Sequence, residues 1–129
     1  MAQPDMHEHQ LGQYQRQYDR DCDQVEKLEA AEEQARKIAY SETWDATMAT
    51  LAAGGPAASE LMAEHDMPLA IGTAWDTIAE ALRRNAEGNP QAAIEHLTAY
   101  AQSVAHSVAT DAGVAAMADV ARQELRRAA

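Results

Sequence analysis

Phenylalanine is absent from this chain, and cysteine occurs only once. With four tyrosines, two tryptophans and no phenylalanine, the core must be aliphatic, and much of it alanine. Alanine lets helices approach closely but buries little area, so at ~25 cal/mol per Å² the stability per residue is modest. A single Cys22 cannot close an internal disulfide, so nothing indicates an oxidising compartment. It sits between Asp21 and Asp23, whose negative charge disfavours a thiolate; a small residue near a helix interface is the better reading. No apolar run approaches the ~18 residues of a transmembrane helix. Residues 1–10 lack the basic start and apolar stretch of a secretion signal, so a soluble, cytoplasmic protein is expected.

Positive charge is scarce as well. Ten lysines and arginines stand against 21 acids, for a formal net charge of −11. Between Lys37 and Arg83 no lysine or arginine occurs, while Glu42, Asp45, Glu60, Glu64, Asp66, Asp76 and Glu80 do. Phosphate binding needs a basic footprint, which argues against direct nucleic-acid binding. The same field repels anionic membrane and attracts basic protein surfaces, so these seven acids are the candidate partner-binding surface.

The motifs of the common chemistries are missing. There is no serine-hydrolase elbow, phosphate-cradling loop or dinucleotide fingerprint, and Gly54-Gly55 runs into Pro56 instead of Lys-Ser/Thr. His7 and His9 lie two apart, so they face different sides of a helix. Glu60, Glu64 and His65 share a short helix without the Glu-x-x-His pairs of a di-metal bundle. His96 and His106 fall on polar faces. No enzyme activity, cofactor or metal site is expected, although a metal- or small-molecule-handling bundle around Glu60, Glu64 and His65 is one alternative.

What is present is helical periodicity over a 129-residue chain, 47% apolar and 24% charged, enough for one globular domain. Leu11, Tyr14, Tyr18, Cys22, Val25 and Leu28 recur every three or four residues and mark one long helix over 1–40. Such a narrow stripe on so long a helix needs a cover: a homodimer, or a fold-back over a bundle formed by 41–129. Leu11, Tyr14, Tyr18, Val25 and Leu28 are therefore the candidate oligomerisation residues, and the dimer is preferred.

Beyond residue 40 the stripe changes phase. Tyr40, Trp44, Met48 and Leu51 form a second face, and Ser41 before Glu42 reads as an N-cap, predicting a break or kink and a short helix over 42–53, with one continuous bent helix as the alternative. Gly54-Gly55-Pro56, Asp66 with Pro68, and Gly88-Asn89-Pro90 mark further boundaries. Ile71, Trp75, Ile78 and Leu82 give one inward stripe, and Ile94, Leu97, Ala101, Val104 and Val108 another. Thr110 or Asp111, followed by Gly113, predicts a last helix with Val114, Met117, Ala121 and Leu125 inward. Trp44 and Trp75 are read as core. No β-branched run alternates with polar residues, so strands are not expected.

Two resemblances accompany this pattern. Trp75, Ala79 and Leu82, then Gly88 and Ala92-Ala93-Ile94-Glu95, are similar to one tetratricopeptide hairpin over about 30 residues. The interval from Trp75 to Gly88 exceeds that repeat's, and arrays need about three copies, so the segment is treated as a helix–turn–helix. In broad composition the chain also resembles small acidic phage proteins that disarm bacterial defence, without a shared motif.

The sequence thus predicts an all-α fold of five or six helices, a long N-terminal one followed by short hairpins. Its leading functional expectation is non-enzymatic binding of a protein with a basic surface, as adaptor or inhibitor, with nucleic-acid mimicry as one mechanism. An assembly or scaffolding protein acting through homo-oligomerisation is the alternative.

Overall fold

A computed structural model describes residues 5–65 and 73–128, side chains of 5–9 excepted. The described residues form four helices and no strand: α1 (Asp5–Ala53), α2 (Gly55–Glu64), α3 (Ala74–Ala86) and α4 (Pro90–Ala128). The all-α class holds, but the expected five or six helices are four, because two of the anticipated breaks do not occur.

The first missing break is at Ser41. α1 runs unbroken for 49 residues, roughly 73 Å. Ser41 and Glu42 are exposed on it, where a serine costs a helix only a few tenths of a kcal/mol. Half-buried Tyr40, Trp44 and Met48 keep α1 packed through the phase change. The second is at 110–113, where α4 continues for 39 residues in all. Gly113 is buried there, and a Cβ on it would lie 2.9 Å from Arg36 Cγ. This glycine serves close approach of α4 to α1 and does not end the helix.

The breaks that do occur have the chemistry expected of them. Gly54 and Gly55 take φ of 69° and 77°, which bulkier residues adopt poorly, and Pro56 sits in the first turn of α2. Gly88 takes φ 86°, and Asn89 Oδ1 accepts from the Ala92 amide at 3.1 Å to cap α4. The boundary expected at Asp66 and Pro68 lies outside the described residues. α3 begins instead with a capping box that the sequence reading missed. Thr73 Oγ1 accepts from the Asp76 amide, and Asp76 accepts from the Thr73 amide.

α1 and α4 run antiparallel as the main pair; α3 packs on α4, and α2 on α1. Their shared core is small-residued: Ala58, Ala81, Ala93, Tyr100, Val104, Ala105 and Ala109, with Thr47 and Thr77. Thr77 satisfies its hydroxyl by donating to the Thr73 carbonyl at 2.9 Å. Small residues at the contacts allow close helix approach, and the larger apolar side chains then fall outside it. α3 accordingly buries Thr77 and Ala81, while Trp75, Ile78 and Leu82 are exposed, Trp75 at 78%. On α4, Val104 is buried but Ile94, Leu97, Val114 and Leu125 are exposed. The expected inward stripes are corrected at those positions, and Trp75 is not core. Ile71 lies outside the described residues.

Candidate functional site

The seven candidate acids separate into groups. Glu42 and Asp45 are exposed on α1, and Glu60 and Glu64 are exposed on α2. Glu60 and Glu64 line a cleft of about 270 Å³ together with Ala46 and Thr50 of α1, so these four acids occupy adjoining helices. Among the described residues none of the four makes an ion pair.

Asp76 and Glu80 are on α3, and both have local employment. Asp76 closes the capping box with Thr73. Half-buried Glu80 accepts from Arg83 and, at 2.9 Å, from Arg84. These bonds, Arg83's first, hold its carboxyl at about 2. Arg83 also donates to Glu87 at 2.6 Å, so its own charge is held still more firmly. Asp66 lies outside the described residues.

The cations are mostly consumed within their own helices. Arg36 binds Glu33 through two nitrogens, at 2.9 and 2.5 Å, which lowers Glu33 below its ordinary range. Arg122 pairs with Asp119, and Arg127 approaches Glu124 at 4.0 Å. Exposed pairs of this kind stabilise little, but they remove positive charge from what a partner meets. Arg16, Arg20 and Lys27 of α1 make no ion pair among the described residues, but beyond Lys37 α1 carries no lysine or arginine and neither does α2, so the unneutralised charge there is negative.

The candidate oligomerisation residues belong to a projecting arm. The end of α4 lies against Gln24, Lys27 and Leu28 through Val120, Gln123 and Arg127. Residues 5–23 of α1 continue past that end for about 28 Å. Leu28 is half-buried where α4 covers it, whereas Leu11, Tyr14, Tyr18 and Val25 are exposed, Tyr14 at 74%. α1 therefore folds against α4 over its second half and leaves its first-half stripe without an intramolecular cover.

Two features escaped the sequence reading. Tyr40 and His106, 66 positions apart, are joined by a hydrogen bond of 2.7 Å between the hydroxyl and Nδ1, with Trp44 stacked on Tyr40. They border an open groove with Gln102, Ser103 and Asp111. His96, read as exposed, is half-buried, and its Nε2 is buried without a hydrogen-bond partner. Only tertiary packing brings these residues together, so no local signal announces them.

Among the described residues no three His, Cys, Asp or Glu side chains are arranged to hold a metal ion, and Glu60, Glu64 and His65 form no such group. The side chains of His7 and His9 lie outside the described set. No described helix is long and apolar enough to cross a membrane. No protein-family model matches the chain, and no curated protein or solved structure matches it.

Proposed function

We propose that this chain is a non-enzymatic binding protein that docks a basic surface of another protein, as adaptor or inhibitor. The observation that carries this reading is the set of four unpaired carboxylates, Glu42, Asp45, Glu60 and Glu64, on the adjoining α1 and α2. A cleft edged by one sign of charge concentrates field at an approaching partner and raises its association rate. Spaced carboxylates along two helices also offer a phosphate-like pattern, so a nucleic-acid-binding protein is the class of target this surface suits best. Glu80 contributes less, because Arg83 and Arg84 already pair with it, whereas Asp76 keeps its charge but is held in the Thr73 cap.

A second reading rests on the arm. The uncovered stripe of Leu11, Tyr14, Tyr18 and Val25 favours homodimerisation, which would make the protein a bivalent binder or an assembly unit. The two readings respond oppositely to ionic strength. Docking led by carboxylates weakens as salt rises, while an apolar arm–arm contact between acidic copies does not. Duplex DNA should compete with the protein for the captured partner if phosphate imitation is the mechanism. Binding that is insensitive to both salt and DNA would contradict the acidic reading.

A further inference from the structure

Beyond the carboxylates, the molecule carries an apolar groove with one wall from α3 and the other from α1 and α2. Ile78 stands on the first wall, Met48, Leu51 and Met62 on the second, and Leu97 and Ala101 of α4 form the floor. Its volume is about 350 Å³. A bond from Arg84 Nη1 to the Ala92 carbonyl, 3.2 Å, ties α3 to the start of α4. The exposed Trp75 and Leu82 lie one turn to either side of Ile78 on α3, and the exposed Ile94 one turn before Leu97 on α4, so helical spacing prolongs the groove as an apolar track along two helices.

We propose that this track receives an amphipathic helix of the partner protein, with apolar residues on one face and lysine or arginine on its flanks. The proposal rests on the protein-binding reading above and names the element that is bound. Helix-in-groove recognition needs an apolar trough long enough for anchors at i, i+3 or i+4, and i+7. Methionines such as Met48 and Met62 on one wall adapt to the shape of the incoming side chains.

Charge selects the flanks. The exposed carboxylates beside the track are Asp76, next to Trp75, and Glu95, next to Ile94. Arg83 and Arg84, the cations of α3, are tied to Glu80 and Glu87. Residues 85–121 contain no lysine or arginine at all. A second copy of this chain would bring the same acidic margins and the same net charge of −11. A basic helix meets complementary charge instead.

The test uses the exposed Trp75 as reporter, in the full chain with Trp44→Phe so that one indole remains. The probe is a synthetic helix of about 16 residues, ~24 Å long, with a leucine stripe flanked by lysines. One control peptide has the same composition in scrambled order, and another replaces lysine by glutamate. The expected result is a saturable blue shift of Trp75 emission with the ordered basic peptide alone. Leu97→Glu and, separately, Ile78→Ser should each weaken that binding by about tenfold or more with unchanged circular dichroism. No blue shift with the ordered peptide overturns the proposal. So does equal Trp75 response to the scrambled peptide, an unaffected affinity in both variants, or a blue shift that grows with protein concentration alone and accompanies a dimer. Binding of both the ordered and the scrambled basic peptide without a Trp75 response to either would overturn the groove while leaving the acidic-surface reading intact, so the two failures are distinguishable.

Discussion

Gly113 of α4 lies over Arg36 of α1 so closely that a Cβ would sit 2.9 Å from Arg36 Cγ and 3.4 Å from its carbonyl oxygen. Arg36 is itself fastened to Glu33, so its stem has little freedom to withdraw. The long antiparallel pair depends on this contact for its spacing.

Enlarging Gly113 should therefore push the pair apart. Gly113→Leu is expected to destabilise by ~2–3 kcal/mol, the usual cost of overpacking. Gly113→Ala recovers about 1 kcal/mol of helix propensity against that cost and should lose less. Gly12, on the arm, has nothing within 4 Å of the place a methyl group would take, so Gly12→Ala should raise helicity without penalty. Urea unfolding of the three variants, followed at 222 nm, checks the ordering; a Gly113→Leu protein as stable as wild type would refute it.

The start of α3 rests on a reciprocal cap. Thr73→Ala removes the acceptor for the Asp76 amide and should cost about 1 kcal/mol. Thr73→Ser keeps the hydroxyl and should behave as wild type. Thermal unfolding of both measures the difference, and equal melting temperatures for all three proteins would refute the cap's contribution.

Acid should weaken the α3 ion-pair network in a defined window. Glu80 has its carboxyl lowered from 4.5 to about 2 by Arg83 and then Arg84. A group with a depressed folded pKa favours folding above its ordinary value and loses that contribution as pH falls. Part of the acid destabilisation between pH 4.5 and about 2 should thus belong to Glu80. Glu80→Gln should be less stable than wild type at pH 7, with the gap closing below about 2. A gap that stays constant across that range would contradict the assignment.

Much of this architecture was legible in the sequence, and the failures have physical causes. The breaks at 54–56 and 88–90 were readable because each joins glycines of positive φ to a helix-starting proline. The breaks proposed at Ser41 and 110–113 rested on residues that favour caps but tolerate an exposed helical position, and on a glycine whose purpose is a tertiary contact. On α3 the apolar stripe was visible, but which face turns inward was not. Close approach selected Thr77 and Ala81 over the larger Trp75, Ile78 and Leu82. Of the candidate acids, Glu42, Asp45, Glu60, Glu64 and Asp76 are exposed and Glu80 is half-buried, and the division into unpaired and employed members depends on Arg83, Arg84 and Thr73 taking up Glu80 and Asp76. The pairing of Tyr40 with His106 had no local signature.

The arm supplies a prediction about assembly. If Leu11, Tyr14, Tyr18 and Val25 pair with a second copy, light scattering should report a dimer whose stability holds or rises with salt. The double variant Tyr18→Glu, Val25→Glu should be monomeric with α1 against α4 retained, because both positions are exposed in the single chain. A monomeric wild type at high protein concentration would remove the arm from the account of assembly.

The central claim is that Glu42, Asp45, Glu60 and Glu64 form a surface for a basic protein partner. The most direct measurement is parallel capture from the native host with wild type and a variant reversing all four to lysine, followed by mass spectrometry. Surface changes of this kind usually alter stability by under ~0.5 kcal/mol each, and circular dichroism would verify the fold. The account predicts that wild type retains a specific basic protein at low salt, that the variant does not, and that added salt releases it. The same protein recovered equally by both, at low salt, would contradict it.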